Sequence, residues 1–176
     1  MAAAKKYSQF HLLSADPVEI DSIPAGSPVR SLHAYWQSIA PAADLLPGRQ
    51  HLDPLDIDPK VMPWVFLMDV LRADDAPLDY RYRLVGTGNV ELVGRDATGE
   101  LASVVFNRVD APFVLDTFDM TVERAAPTYW IATVPQDRIG MVTIHRGLFP
   151  MARDGQTVDM LMCIAVPGHP PGPVPA

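Results

Sequence analysis

Proline is the feature that most constrains what this chain can fold into, because each proline removes a backbone donor and interrupts helices and sheets. The 18 prolines are about twice the usual share, but they are unevenly placed. Eight lie in residues 1–63 and five in the last ten residues, whereas residues 64–166 contain five. The distribution predicts a compact body between a proline-punctuated lead-in and a Pro-rich disordered tail.

The overall composition is that of a globular protein, with 48% hydrophobic and 20% charged residues. A chain of 176 residues is long enough to bury one core and suits one domain. We therefore expect a flexible N-terminal segment over 1–27, a domain over 28–166 and a disordered tail over 167–176.

Net charge and the length of apolar runs indicate what the protein binds and where in the cell it lies. The formal net charge is −7 and no basic run is present, which disfavours nucleic-acid binding. No apolar stretch is long enough to span a membrane, and the first ten residues lack the apolar core of a signal peptide. The single cysteine, Cys163, permits no internal disulfide. These features predict a cytoplasmic protein that binds neither nucleic acid nor membranes.

An N-terminal helix over 28–40 is predicted by Ser27 as its cap and Pro28 in its first turn. Apolar residues recur along it at spacings of three and four: Val29, Leu32, Trp36 and Ile39. The stripe has two interpretations. It packs on the main body, which we favour, or it forms an interface with a second subunit or another partner.

The proline-rich stretch before residue 64 contains side chains of the types that bind metals: His51, Asp53, Asp56 and Asp58. Asp53 and Asp58 each precede a proline, where aspartate is most simply a cap of a short helical turn. No second histidine or cysteine lies nearby. We predict caps here, with a helical turn near 59–62, and no metal site.

The body contains five runs that are typical of strands. They cover residues 64–71, 79–86, 127–134, 140–149 and 157–166. The first two form a hairpin with Tyr80, Tyr82 and Leu84 on one face, and Asp154-Gly155 joins the last two as a second hairpin. The pattern predicts an α+β domain with a five-stranded antiparallel sheet, helices on one face and the N-terminal helix.

Two helices are predicted between the strand pairs. One runs over 87–94 with Thr87 as its cap and Gly94 as its stop, and the other runs over 110–124. The longer helix has an inward apolar face of Val114, Leu115, Phe118 and Val122. The glycines at 86, 88 and 94 do not have the G-x-G-x-x-G spacing, so no nucleotide loop is expected.

The order of these elements, with the segments YRYRLVGTGNVELVGRDATGE and IHRGLFPMARDGQTVDMLMCIAVP, resembles a bacterial family of small PAS-like proteins over residues 29–166. The resemblance implies a PAS-like fold and a sensory or protein-interaction module without catalytic residues. In a chain of this length we expect it to stand alone and to act in trans on a signalling protein such as a kinase or regulator. A homodimer through the N-terminal helix is also implied.

The same resemblance bears on cofactors. PAS relatives that hold haem commonly use a histidine on the long helix, but 110–124 contains none. Photosensing flavin relatives carry an Asn-Cys-Arg-Phe motif, whereas Cys163 lies in the last predicted strand. Neither haem nor a photosensing flavin is therefore expected, and the cofactor, if any, stays unknown.

A small-molecule site between sheet and helices would be apolar with a few polar groups. Our candidates for ligand contact are Tyr82, Asn89, Trp130 and His145, although each also suits a structural role in the core or at a helix end. One alternative is a small enzyme in which Asp69 or His145 moves a proton. Another alternative is a scaffold without a ligand.

Overall fold

The computed structural model describes residues 14–74, 76–106, 112–136 and 140–168, which contain strands, helices and short 3-10 turns. The strands are β1 Ser14–Val18, β2 Val65–Ala73, β3 Ala76–Val85, β4 Thr128–Gln136, β5 Gly140–Met151 and β6 Met160–Pro167. The helices are α1 Pro28–Ser38, α2 Thr87–Val93, α3 Ala102–Val105 and α4 Pro112–Arg124. Short 3-10 turns cover Ile20–Ser22, Arg49–His51, Pro54–Asp56 and Met62–Trp64.

The strands form one antiparallel sheet in the order β1-β4-β5-β6-β2-β3. The α+β class and the five predicted strands are confirmed, but the described residues contain a sixth strand. This strand, β1, falls within the segment predicted to be flexible and pairs with β4 from Ser14↔Thr133 to Val18↔Tyr129. Pro17 obscures it in the sequence, yet a proline is tolerated in a strand at the edge of a sheet.

The β2–β3 hairpin carries a register shift that changes which residues are buried. Leu67 pairs with Leu84 and Met68 pairs with Tyr82, so β3 has one extra residue between these pairs. Tyr80 and Tyr82 are buried in the same cluster, as a common face requires, whereas Leu84 is 41% exposed. The expected common face is therefore wrong for Leu84, because a bulge interrupts the alternation of side chains along a strand.

Both faces of the sheet are covered, which explains why nearly every residue of β6 is buried. Leu161, Cys163 and Ala165 face one hydrophobic cluster, which includes the inward side of α4. The intervening residues of β6 face a second cluster, which includes α1 and residues of the 49–64 segment. We call these two sides of the sheet the α4 face and the α1 face.

Helix α1 confirms the predicted N-terminal helix, and its apolar stripe contacts the protein's own sheet. Ser27 caps it by accepting a hydrogen bond from the Val29 amide at 3.3 Å. Val29 and Leu32 have no exposed surface, and the Trp36 indole donates to the Pro150 carbonyl at 2.9 Å. Ile39 is half-buried against the same cluster.

This packing agrees with the favoured interpretation of the stripe formed by Val29, Leu32, Trp36 and Ile39, which is that it packs on the main body. In this conformation Val29 and Leu32 have no surface left for a second subunit. The α1 face of the sheet is apolar and takes up the stripe. An interface through this helix stays a prediction, and it would have to use the partly buried Trp36 and Ile39.

The lead-in between α1 and β2 is organised by local caps. Asp53 accepts a hydrogen bond from the Leu55 amide at 2.9 Å, and Asp58 accepts one from the Lys60 amide at 2.8 Å. The His51 Nδ1 accepts one from the Gly48 amide at 2.9 Å. The predicted caps are confirmed, and the predicted helical turn is present as residues 59–61 and the following 3-10 turn.

Helix α2 follows β3 through a close approach of two backbones. Its cap is Gly86, not Thr87 as predicted, and a Cβ atom at Gly86 would lie 2.3 Å from the Pro63 carbonyl oxygen. Only glycine fits there. Gly94 ends the helix with a φ of 80°, as predicted.

The predicted inward face of the long helix α4 is confirmed, because Val114, Leu115, Phe118 and Val122 are all buried.

In the described ranges no helix is long and apolar enough to cross a membrane. Of the predicted tail, Pro167 ends β6 and the Gly168 amide donates to the Thr143 carbonyl at 2.7 Å. Residues 1–13 and 169–176 of the predicted flexible ends lie outside the described residues.

Candidate functional site

A cavity of about 60 Å³ lies on the α4 face, between the sheet and the short helices α2 and α3. Its walls are mainly apolar and come from β2, β3, α2, α3, β5 and β6: Phe66, Val85, Leu92, Val105, Ile144 and Ala165. The cavity is small, with room for more than one water-sized group.

Arg146 is the most unusual residue of the cavity lining. It lies in the middle of β5 and is only 5% exposed. Its Nη1 donates to the Thr117 hydroxyl at a long 3.4 Å, and its guanidinium carbon lies 5.6 Å from the centre of the Phe118 ring. These contacts hold the side chain in place without neutralising its charge.

No carboxylate pairs with Arg146 in the part of the chain that the structure describes. The ion pairs found there are Arg30 with Asp21, Arg83 with Asp69, and Arg95 with Glu100. Burial lowers the pKa of Arg146, but a guanidinium keeps its proton in proteins. The cavity therefore contains a buried positive charge that the described residues leave uncompensated.

Two acidic groups near this charge remain neutral. Burial raises the pKa of Tyr82 well above its usual value, and the Arg146 charge only partly opposes this effect. Burial raises the pKa of the Cys163 thiol in the same way. At neutral pH neither group is an anion, so neither can serve as the counter-ion of Arg146.

The other polar residues of the lining already have partners. Asn89 is buried, and its side-chain amide donates to the Trp64 carbonyl at the start of β2. Arg95 forms an ion pair with Glu100, and both side chains are about one-third exposed. Arg146 thus differs from Arg95 in both burial and pairing.

The structure brings together two of the four predicted ligand contacts. Tyr82 and Asn89 line the cavity. Trp130 lies in the core of the α4 face, where its indole donates to the Thr128 hydroxyl at 3.0 Å. His145 lines a separate groove with Ser27 and Gly168, and burial lowers its pKa. Trp130 and His145 therefore do not belong to the lining of this cavity.

Arg146 was not among the predicted site residues, although its position in the sequence carries a signal. Alternate residues of β5 face the α4 side, as Ile144 and Leu148 do. Arg146 lies between them at the same spacing of two, whereas His145 belongs to the opposite set. An arginine on the apolar side of a strand is a buried charge, which proteins rarely tolerate without a reason.

Neither residue of the enzyme alternative, Asp69 or His145, lines this cavity. Asp69 accepts a hydrogen bond from the Arg83 Nε at 2.8 Å, and it does not line the cavity. His145 faces away from the cavity, as described above. Among the described residues no cluster of three or more histidine, cysteine or acidic side chains is arranged to hold a metal ion.

Comparison with protein-family profiles gives a match. The family profile described as a PAS domain matches residues 25–165. The match spans α1 to α4, strands β2 to β5 and nearly all of β6, and it includes every residue named above as lining the cavity. No curated protein matches the chain.

Proposed function

The chain belongs to the PAS domain family, and on this premise we propose that it senses a small molecule in the α4-face cavity and signals by contact with another protein. PAS domains are typically sensory or signalling modules rather than enzymes, and we propose the same of this chain. The observation that carries the proposal is the cavity itself. It combines mainly apolar walls with a few polar groups, which is the usual composition of a ligand site.

The size of the cavity limits the ligand. Sites for drug-sized ligands are about 300–1,000 Å³, which is far larger than this cavity. The ligand is therefore a small metabolite-like molecule, and haem or flavin would require the helices to move apart. The long helix also contains no histidine, the residue with which PAS relatives commonly hold haem.

The route of the signal follows from the walls of the cavity. Leu92 of α2 and Val105 of α3 contact the space in which the ligand would lie. The preceding residue of α3, Val104, is 64% exposed, so this helix connects the cavity with the surface. A ligand that shifts α2 and α3 would change this surface, where a partner such as a kinase or regulator would bind.

Native mass spectrometry tests the proposal on protein isolated from its own cells without denaturation. Ala165 lines the cavity, and Ala165→Val adds two methyl groups that occupy part of the space. The matched control is Ala132→Val, which enlarges a buried alanine of the same core that does not line the cavity. We expect a retained small-molecule mass in the wild type and in the control, and its loss in Ala165→Val.

A bare protein mass in all three samples would contradict a ligand-binding sensor. It would favour the scaffold without a ligand, the alternative that the sequence left open. Circular dichroism of each variant establishes that the fold is intact before the masses are compared.

A further inference from the structure

The charge of Arg146 is the property of the cavity that the proposed function does not yet explain. A buried ion is costly unless an opposite charge or strong hydrogen bonds replace the water it has lost. Arg146 has one long hydrogen bond to Thr117 and a contact with the face of Phe118. Both partners are neutral, so the described residues do not compensate the guanidinium.

The surroundings of Arg146 favour an anion as the missing partner. The guanidinium presents five donors in a planar fork that matches a carboxylate. Tyr82 lines the same cavity and offers a neutral hydroxyl as a further donor. The competing cation, Arg95, is already paired with Glu100. The site therefore has unused donors and a net positive charge.

The protein as a whole does not attract anions, because its formal net charge is −7. A small anion that bound to this acidic chain would have to be held by a local group. Among the described residues Arg146 is the buried cation that could hold this anion. Binding of an anion to Arg146 can thus be distinguished by experiment from non-specific attraction of anions to the protein surface.

We infer that the cavity binds a short-chain monocarboxylate whose carboxylate pairs with Arg146 and whose apolar tail lies among Val85, Leu92 and Ile144. This inference rests on the proposed function, and it names the chemical class of the ligand. The small volume of the cavity, about 60 Å³, favours an acid with a short chain over one with a long chain. The apolar walls favour a carboxylate with a tail over inorganic phosphate, which has none.

An NMR titration of the full chain tests the inference. The protein is labelled with ¹⁵N, dialysed exhaustively, and titrated with sodium propionate, propionamide or sodium phosphate at constant ionic strength. Propionamide has the size and shape of propionate without its charge. We expect saturable shifts of cavity-lining amides with propionate, and binding of propionamide or phosphate at least about 10-fold weaker.

Three variants assign the effect to Arg146. Arg146→Met keeps an unbranched, though shorter, side chain and removes the charge, and it should weaken propionate binding about 10- to 100-fold. Arg146→Lys keeps the charge but loses the planar fork, and its affinity should be intermediate. Arg83→Met, at an exposed ion pair outside the cavity, is the matched control and should bind propionate as the wild type does.

Several results would overturn the inference. They are equal affinities for propionate and propionamide, equal affinities for propionate and phosphate, or unchanged propionate binding by Arg146→Met. If Arg146→Met does not fold, the comparison of propionate with propionamide on the wild type still decides the question.

The titration also separates this inference from the proposed function. Saturable binding of propionamide in the cavity, equally strong in the wild type and in Arg146→Met, would support a sensor of a neutral molecule and contradict the inference of a carboxylate ligand. A bare mass in native mass spectrometry, together with no shift from any probe, would contradict both the proposed function and the carboxylate inference.

Discussion

The two faces of the sheet are built from alternate residues of the same strands, but the α4 face contains a buried cation, Arg146, that pairs with no carboxylate of the described residues. On the α1 face the polar atoms within the apolar packing have close partners. The Tyr129 hydroxyl lies 2.5 Å from the His33 Nδ1, and the Trp36 indole donates to the Pro150 carbonyl. On the α4 face the Arg146 charge lies beside a cavity with one long hydrogen bond.

This difference indicates a division of roles within one small domain. The α1 face is packed for stability, because the lead-in closes over residues such as Phe149 and Met162, which have no exposed surface. The α4 face keeps an uncompensated charge and an open space, both of which are costly for a protein without a ligand. We therefore expect opposite effects on stability from truncating a packed residue of the α1 face and from removing the Arg146 charge of the α4 face.

The largest effect is expected at the α1 face. Phe149→Ala removes a ring that packs against Trp36, Tyr129 and His33, and it should lower the free energy of unfolding by about 3–5 kcal/mol. Urea denaturation measures the loss. Leu55→Ala is the control, because Leu55 is 91% exposed and should cost less than about 0.5 kcal/mol. Equal losses in the two variants would contradict a tightly packed α1 face.

Arg146→Met should have the opposite sign in the protein without a ligand. Replacing a buried ion pair by apolar side chains of similar volume is often neutral or stabilises by about 1–4 kcal/mol, and Arg146 has no carboxylate partner to lose among the described residues. We expect the free energy of unfolding in urea to stay equal or to rise, while the response to propionate disappears. A loss as large as that of Phe149→Ala would mean that Arg146 is a structural residue and not a binding residue.

Two tyrosines of β3 allow a structural role and a binding role to be compared within the α4 face. The Tyr80 hydroxyl donates to the Asp119 carboxylate at 2.5 Å, and burial, followed by this hydrogen bond, raises the pKa of Tyr80. Tyr80→Phe should lower the free energy of unfolding by about 1–2 kcal/mol and leave propionate binding unchanged. Tyr82→Phe should weaken propionate binding with a smaller loss of stability, because Tyr82 lines the cavity and Tyr80 does not. The reverse pattern in urea and NMR titrations would place the ligand elsewhere.

The smallest effect is a pH dependence of the α1 face. Burial, followed by the charge of Arg30, lowers the pKa of His33 in the folded protein. The unfolded chain therefore binds more protons near and below pH 6.5, so stability should fall as the pH is lowered from about 8 through the folded pKa. His33→Gln should show a shallower fall in urea denaturation. His145 contributes in the same direction in both proteins, because burial lowers its pKa too. An identical pH profile for wild type and variant would contradict this assignment.

Local patterns were enough to predict most of the fold. The strands β2 to β6 are long apolar or alternating runs bounded by turn residues such as Asp154 and Gly155, and α4 has a clear apolar stripe. These signals depend on neighbouring residues, so they can be read from the chain. The prolines also marked the lead-in correctly as a region of short turns and caps.

The features that were missed depend on contacts between distant residues. β1 is a strand only because β4 offers it an edge, and Leu84 is exposed because of a bulge in its pairing with β2. The side of the sheet that α1 covers cannot be read from its own stripe. Within the site, Tyr82 and Asn89 were predicted, but Arg146 required knowing that β5 is buried on both faces.

Hydrogen exchange with and without sodium propionate distinguishes the two faces most directly. Propionate should slow exchange in α2, over Thr87–Val93, and in β5 around Arg146, while α1, over Pro28–Ser38, keeps its rates. Propionamide at the same concentration should change neither region. Slower exchange in α1, or no change in α2 and β5 at saturating propionate, would contradict a binding face and a stabilising face on opposite sides of one sheet.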